Sequence, residues 1–122
     1  MKTNEMLAFQ GDIALLKVDA LPAGAARVEK ALDSAEREAF GYHPEKGLVL
    51  AQGESRAHYH AFRDTDAVEM YAANDNRLFV VVKSPAVLFH EEHDPIAHPA
   101  GVYELLFQKE YGFEDIYTRV AD

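Results

Sequence analysis

The stretch RLFVVVKSPAVLFH (77–90) contains the pattern on which the predicted fold class depends. Its two apolar runs, 77–83 and 86–90, are rich in β-branched and aromatic residues and are separated by Ser84-Pro85, a pair typical of turns. Each run has the length of a strand and is far too short to cross a bilayer. The stretch therefore predicts a strand, a turn and a second strand.

The same alternation of strand-length runs and turn residues continues along most of the chain. Further runs lie at 11–18, 47–51, 57–62, 67–73, 101–108 and 115–120. About eight short strands at regular spacing favour a β-sandwich or barrel over a parallel α/β sheet. We therefore expect an all-β fold, an antiparallel β-barrel or jelly-roll sandwich, that forms a single domain over residues 1–122.

One segment departs from this pattern. Over residues 25–40, apolar side chains recur at helical spacing and strong helix formers fill most of the other positions. Gly41 and Pro44 follow as stop signals. The segment predicts one helix that covers an open end or a face of the β unit, with a charged surface arm as the alternative.

Composition excludes several kinds of function. The 122 residues include 12 Lys and Arg against 21 Asp and Glu, and the net charge of −9 repels phosphate backbones and anionic membrane surfaces. We expect no nucleic-acid partner and no membrane partner. The first residues, MKTNEML, lack the apolar segment of a secretory signal, which favours a cytoplasmic location. Because cysteine is absent, the strong ligands available to a metal are His, Asp and Glu.

Two histidines stand one residue apart in the predicted strand AHYHAF (57–62). Side chains of a strand alternate between its faces, so His58 and His60 would leave the same face and could share one metal ion. The alternative is a pair of solvated or core-packed histidines, which are common.

A second group of histidines lies in FHEEHDPIAHPAGVYE (89–104), which contains His90, His93 and His98 beside three acidic residues. Five of the six histidines of the chain therefore fall in two groups, and adjacent antiparallel strands can bring such groups face to face. The alternative is that HEEHDP (90–95) is a hydrophilic corner in which Asp94-Pro95 begins a turn.

The two histidine-bearing segments resemble the two sequence motifs of the cupin family. GESRAHYHAFRD (53–64) is similar to the first motif, and the acid of that motif falls on Asp64, with Asp66 and Glu69 as alternatives. HDPIAHPAGVYELLFQ (93–108) is similar to the second, in which Asp94, Pro99 and Gly101 fall in register.

In the second motif, the third metal-binding histidine of cupins falls on Glu104, and the family's Asn falls on Gln108. The resemblance implies a double-sheet β-barrel that holds a divalent metal, with His58, His60, Glu104 and Asp64 as the implied ligands. His90, His93 or His98 could supply the missing imidazole instead. Nitrogen and oxygen ligands of these types suit Fe, Mn, Ni or Zn.

These patterns support two hypotheses about function. In the first, the protein is a small metal-binding cupin-like protein, and if it is an enzyme the metal would act on a small polar substrate such as a sugar or a carboxylic acid. In the second, it is a non-catalytic β module that forms a homo-oligomer or is a structural or accessory component of a larger assembly such as a virion. No complete catalytic set is visible in the sequence, so the question of enzyme activity stays open at this point.

Overall fold

The computed structural model describes residues 7–10, 13–28, 41–43, 45–52, 59–75, 77–90 and 93–107. These ranges contain strands and no helix. In chain order the strands are β1 (Leu7–Gln10), β2 (Ile13–Val18), β3 (Ala26–Arg27), β4 (Gly41–His43), β5 (Gly47–Gln52), β6 (Tyr59–Phe62), β7 (Val68–Ala72), β8 (Leu78–Val82), β9 (Ala86–Phe89), β10 (Ile96–His98) and β11 (Gly101–Phe107).

The strands form two sheets, and all the pairs within them are antiparallel. The six-stranded sheet has the order β1-β2-β11-β8-β7-β3, and the five-stranded sheet has the order β10-β9-β6-β5-β4. An all-β antiparallel fold is therefore confirmed for the described part of the chain.

The hydrophobic core lies between the two sheets. Its members recur at every second position of a strand, so each strand turns one face inward. The six-stranded sheet contributes residues such as Leu15, Met70 and Leu105, and the five-stranded sheet contributes Phe62 and Leu88. This alternation fixes which side chains at the strand ends also face inward.

Most strand predictions agree with the structure. The runs at 11–18, 47–51, 57–62, 67–73, 77–83, 86–90 and 101–108 correspond to β2, β5, β6, β7, β8, β9 and β11. Four short strands, β1, β3, β4 and β10, were not predicted. The predicted strand at 115–120 lies outside the described residues.

The helix predicted for residues 25–40 is wrong where the structure describes that segment. Ala26 and Arg27 form β3, which pairs with Tyr71 and Ala72 of β7, and the Val28 amide donates to the Met70 carbonyl at 2.8 Å. The backbone groups that would form hydrogen bonds within a helix thus form them with β7, at the edge of the six-stranded sheet. This pairing outweighs local helix propensity. Residues 29–40 of the predicted helix lie outside the described residues.

In the turn between β4 and β5, the ring of His43 accepts hydrogen bonds from two backbone amides, and a glycine adopts a left-handed backbone conformation. The amides of Glu45 and Lys46 donate to His43 Nδ1 at 3.1 and 3.2 Å. Gly47 follows with φ of +94°. A Cβ atom at Gly47 would collide with the carbonyl oxygen of Phe62, which is backbone and cannot move away at low cost.

A register shift lies farther along β5. Val49 pairs with Ala61, and the next pair joins Ala51 to His60, so Leu50 is the extra residue of β5. Irregularities of this kind increase the local twist and redirect neighbouring side chains. The shift occurs beside His60, the strand residue on which the site described below depends.

We expect Gly47→Ala to destabilise the fold by about 2–4 kcal/mol, because a left-handed backbone and a backbone collision both oppose the new methyl group. Urea denaturation measures the loss. Gly24→Ala is the matched control, since Gly24 has φ of +85° but its Cβ would meet only the Asn74 side chain. Equal losses in the two variants would contradict the collision as the dominant cause.

Candidate functional site

Three histidine rings meet at one end of the space between the two sheets. His60 lies on β6 two residues before the core residue Phe62, and His90 follows β9 two residues after the core residue Leu88, so both side chains face inward. His93 comes from the connection between β9 and β10. The ring centroids of His60 and His90 are 4.3 Å apart, those of His90 and His93 are 4.6 Å apart, and those of His60 and His93 are 6.3 Å apart. We call these three residues the histidine cluster.

Burial changes across the histidine cluster. His60 and His90 have exposed fractions of 6% and 8%, whereas His93 is exposed. Two imidazoles therefore lie in a largely dry environment, and the third borders solvent.

A glutamine that the sequence analysis did not single out organises this end of the core. Gln10 ends β1 and pairs with the core residue Ile13, and only 3% of its surface is exposed. Its Oε1 lies 2.7 Å from His60 Nδ1, and its Nε2 donates to the carbonyl oxygens of Leu88 and Asp94, both at 3.0 Å. One side chain of the six-stranded sheet thus contacts the part of the other sheet that bears the histidines. The available signal was a polar residue at an inward-facing position of an apolar strand.

Two of the other residues predicted as metal ligands, Asp64 and Glu104, do not join the histidine cluster. His58 lies outside the described residues. Asp64 is exposed in the turn after β6, where its Oδ1 accepts from the Asp66 amide at 3.2 Å. It follows His60 by four residues, about 13 Å along an extended chain. Asp64 stays a prediction that this geometry does not favour.

Glu104 lies on the other side of the six-stranded sheet. Its neighbours Tyr103 and Leu105 face the core between the sheets, so alternation directs Glu104 to the opposite face. Its two carboxylate oxygens accept from Arg77 Nε and Arg77 Nη2, both at 3.0 Å, and Glu104 is only 2% exposed. The structure thus pairs Glu104 with an arginine and separates it by the sheet from His60.

His98 is buried in a different part of the core. Its strand partner is Ala86, the first residue of β9, whereas His90 follows the last residue of β9. The His98 ring packs edge-on against Phe62 and Tyr103 at centroid distances of 5.8 and 5.3 Å. Its Nε2 is buried and has no hydrogen-bond partner among the residues that the structure describes. Burial lowers the pKa of His98 below its ordinary value of 6.5.

Of the two alternative acids of the first motif, Glu69 has partners outside the histidine cluster. Glu69 contacts Tyr71, Arg27 and Lys83, and the hydrogen bond from the Tyr71 hydroxyl to Glu69 Oε1 is 2.9 Å long. That hydrogen bond is the largest cause that lowers the pKa of Glu69. Asp66 is exposed.

The ligand atoms of the described residues are not arranged as a finished metal centre. In the ranges that the structure covers, no group of three His, Asp or Glu side chains has the geometry to hold a metal ion. The three rings of the histidine cluster are close to one another, and binding would require their nitrogens to turn toward a common point. His58, which precedes His60 by two residues in the sequence, is not among the described residues.

Comparison with known proteins assigns the chain to a family without assigning it an activity. Residues 9–108 match the family described as a domain of unknown function, DUF8820. The chain belongs to this family. No curated protein and no solved structure matches it. The matched range includes Gln10 and all three residues of the histidine cluster. Within the described residues, no helix has the length and hydropathy needed to span a bilayer.

Removal of the arginine that faces Glu104 should destabilise the protein. We expect Arg77→Ala to cost about 2–3 kcal/mol, because it removes the two Arg77 hydrogen bonds and the Arg77 charge from a buried carboxylate, although water reaches the exposed part of the pair. Urea denaturation measures this loss, and adding Glu104→Gln should recover part of it by removing the charge. Arg27→Ala is the control, because Arg27 pairs with Glu69 at 3.6 Å on a more exposed site. A loss for Arg27→Ala as large as that for Arg77→Ala would argue against the buried carboxylate as the cause.

Burial of His98 predicts acid-sensitive stability. Because the folded state disfavours the protonated ring, the unfolded state binds the extra proton first as the pH falls through 6.5. The contribution of His98 is complete above that pH and decreases below it, by at most about 1.4 kcal/mol per pH unit. Urea denaturation at several pH values should show a shallower dependence for His98→Phe than for the wild type. Identical slopes would contradict this role of His98.

Proposed function

We propose that the protein binds one divalent transition-metal ion through the imidazole nitrogens of His60, His90 and His93, with His58 as a further candidate ligand. The observation that carries this proposal is the proximity of three imidazole rings from three separate points of the chain. Two of these residues, His60 and His93, lie in the two motif regions for which the sequence predicts metal ligands.

The ring spacing supports a shared ion once the ring nitrogens turn toward a common point. With an imidazole nitrogen about 2.0–2.1 Å from a metal, the centroids of two ligand rings are roughly 4.5–6.5 Å apart, depending on the angle at the metal. The three spacings of 4.3, 4.6 and 6.3 Å fall close to that range. His60 and His90 are buried, so little water competes with a metal for their nitrogens.

The donor type narrows the choice of metal. Imidazole suits zinc, nickel and ferrous iron, whereas manganese prefers sites richer in carboxylates. With Glu104 paired to Arg77 and Asp64 distant along the chain, the cluster is rich in nitrogen, so manganese becomes the least favoured of the four metals considered. A bound ion would supply Lewis acidity toward a small polar ligand.

The cupin resemblance, with its closed barrel, stays a prediction. Two antiparallel sheets around one core support it, and so does the contact of His60 from the first motif with His93 from the start of the second. The proposed ligand set differs from the one that the resemblance implies, because His90 and His93 take the part that the motif gives to Glu104. Enzyme activity would require an exchangeable position on the metal, for which the exposed side of His93 is the candidate.

The hypothesis of a structural assembly module receives less support. Among the described residues, Val87 is the only large hydrophobic side chain that is exposed. Stable interfaces between subunits usually bury an apolar centre of several large side chains. Metal binding is therefore the function that the described residues support better.

Metal analysis tests the proposal directly. Protein purified without chelators should contain about one equivalent of zinc, nickel or iron, and the stripped protein should bind zinc in a calorimetric titration. We expect His60→Ala and His90→Ala each to weaken zinc binding by about 100-fold or more, since loss of even an outer-shell partner costs about 10–100-fold.

His43→Ala is the matched control, because His43 belongs to the β4–β5 turn and is not part of the cluster. His58→Ala then decides whether that residue is a ligand. The absence of metal in the purified protein, together with no binding of zinc, nickel or ferrous iron by the stripped protein, would refute the proposal. So would equal affinities of the wild type, His60→Ala and His90→Ala.

A further inference from the structure

We infer that Gln10 is the positioning residue of the histidine cluster: its amide sets the tautomer of His60 and holds both sides of the chain segment that carries His90 and His93. This inference rests on the proposed metal-binding function. Its first part, the tautomer, can also be tested without any metal.

The hydrogen bonds determine which way the Gln10 amide faces. The carbonyl oxygens of Leu88 and Asp94 can only accept, so the atom 3.0 Å from both must be the amide nitrogen of Gln10. The other end of the amide is then an oxygen, which also can only accept. His60 Nδ1, at 2.7 Å from that oxygen, must therefore carry the hydrogen.

This assignment decides which nitrogen of His60 could bind a metal. A neutral imidazole carries one hydrogen, and the nitrogen without hydrogen has the lone pair that a metal needs. With hydrogen on Nδ1, the lone pair belongs to Nε2. Metal-binding histidines commonly donate their second nitrogen to a carbonyl or carboxylate, which fixes the ring orientation and raises its basicity. Gln10 Oε1 has this relation to His60.

The two other hydrogen bonds of Gln10 hold the segment that carries the remaining histidines. Leu88 precedes His90 by two residues, and Asp94 directly follows His93. Because one amide nitrogen binds carbonyls on both sides of this segment, the Gln10 side chain restricts the backbone from which both rings project. The same side chain thus contacts or restrains all three members of the cluster.

Burial makes these contacts strong. Gln10, His60 and His90 are each more than nine-tenths buried, so water cannot readily replace a lost partner. Without Gln10, the hydrogen on Nδ1 would lose Gln10 Oε1 as an acceptor, the constraint that Gln10 places on the His60 tautomer would be removed, and two carbonyls would lose the Gln10 donor. We therefore expect a substitution at Gln10 to weaken metal binding although Gln10 itself touches no metal.

Two variants distinguish the hydrogen bond that Gln10 accepts from His60 from the two hydrogen bonds that Gln10 donates to backbone carbonyls. Gln10→Leu removes every hydrogen bond of the amide, whereas Gln10→Glu keeps an acceptor for His60 Nδ1 and loses the donors to the two carbonyls. Long-range proton–nitrogen NMR spectra of the full-length, metal-free protein report the tautomer of His60. Calorimetric titration with zinc alone reports the affinity of the same samples.

We expect hydrogen on Nδ1 of His60 in the wild type and in Gln10→Glu, and a mixture of tautomers in Gln10→Leu. Zinc affinity should fall by about 10–100-fold in Gln10→Leu, with Gln10→Glu closer to the wild type. A wild-type His60 with hydrogen on Nε2 would overturn the inference, and so would Gln10→Leu with unchanged zinc affinity.

The two proposals fail in different ways. If the wild type binds no zinc, nickel or ferrous iron, the proposed function is refuted, and the wild-type spectrum still decides whether Gln10 sets the tautomer. If the wild type binds zinc and Gln10→Leu binds it equally well, the metal site stands and the positioning role of Gln10 is refuted. Should Gln10→Leu fail to fold, the wild-type spectrum and Gln10→Glu still provide the test.

Discussion

The buried amide of Gln10 is the polar contact on which this end of the molecule depends. Apolar packing holds the two sheets together elsewhere, but packing alone is tolerant of small shifts and does not select one orientation of a polar ring. A buried amide with three partners does, because each unsatisfied group would cost about 1–3 kcal/mol. The histidine cluster is therefore connected to the first strand of the opposite sheet, and its geometry depends on how the two sheets pack.

The sequence was sufficient for the fold class because strand alternation and turn chemistry are local signals. β8 and β9, for example, each contain enough β-branched or aromatic residues to be identified without knowing their partners. β3 and β10 span only two and three residues, too few for a period to be visible. The helix prediction failed at Ala26 and Arg27 because the edge of β7, a tertiary partner, supplied hydrogen bonds that local propensity cannot anticipate.

The sequence indicated which residue types belong to the candidate site, but it did not indicate which of these residues lie together. His60, His90 and His93 were candidates because histidines are rare and grouped here, whereas their contact depends on the register that pairs Ala61 with Phe89 and Phe62 with Leu88. The placement of Glu104 could not be predicted for a related reason, since motif spacing does not state which sheet face a residue occupies. Gln10 was missed because two of its partners lie 78 and 84 residues farther along the chain.

In the proposed site, the unequal burial of the three histidines would affect the rates of metal exchange as well as the metal affinity. In the proposed site, an ion that arrives from solvent would meet the exposed His93 before the two enclosed rings, and it would pass His93 last when it leaves. His93 would then govern how fast the site fills and empties, while His60 and His90 would govern how firmly the ion is retained. An arrangement of this kind lets natural selection adjust residence time at one surface position without rebuilding the core.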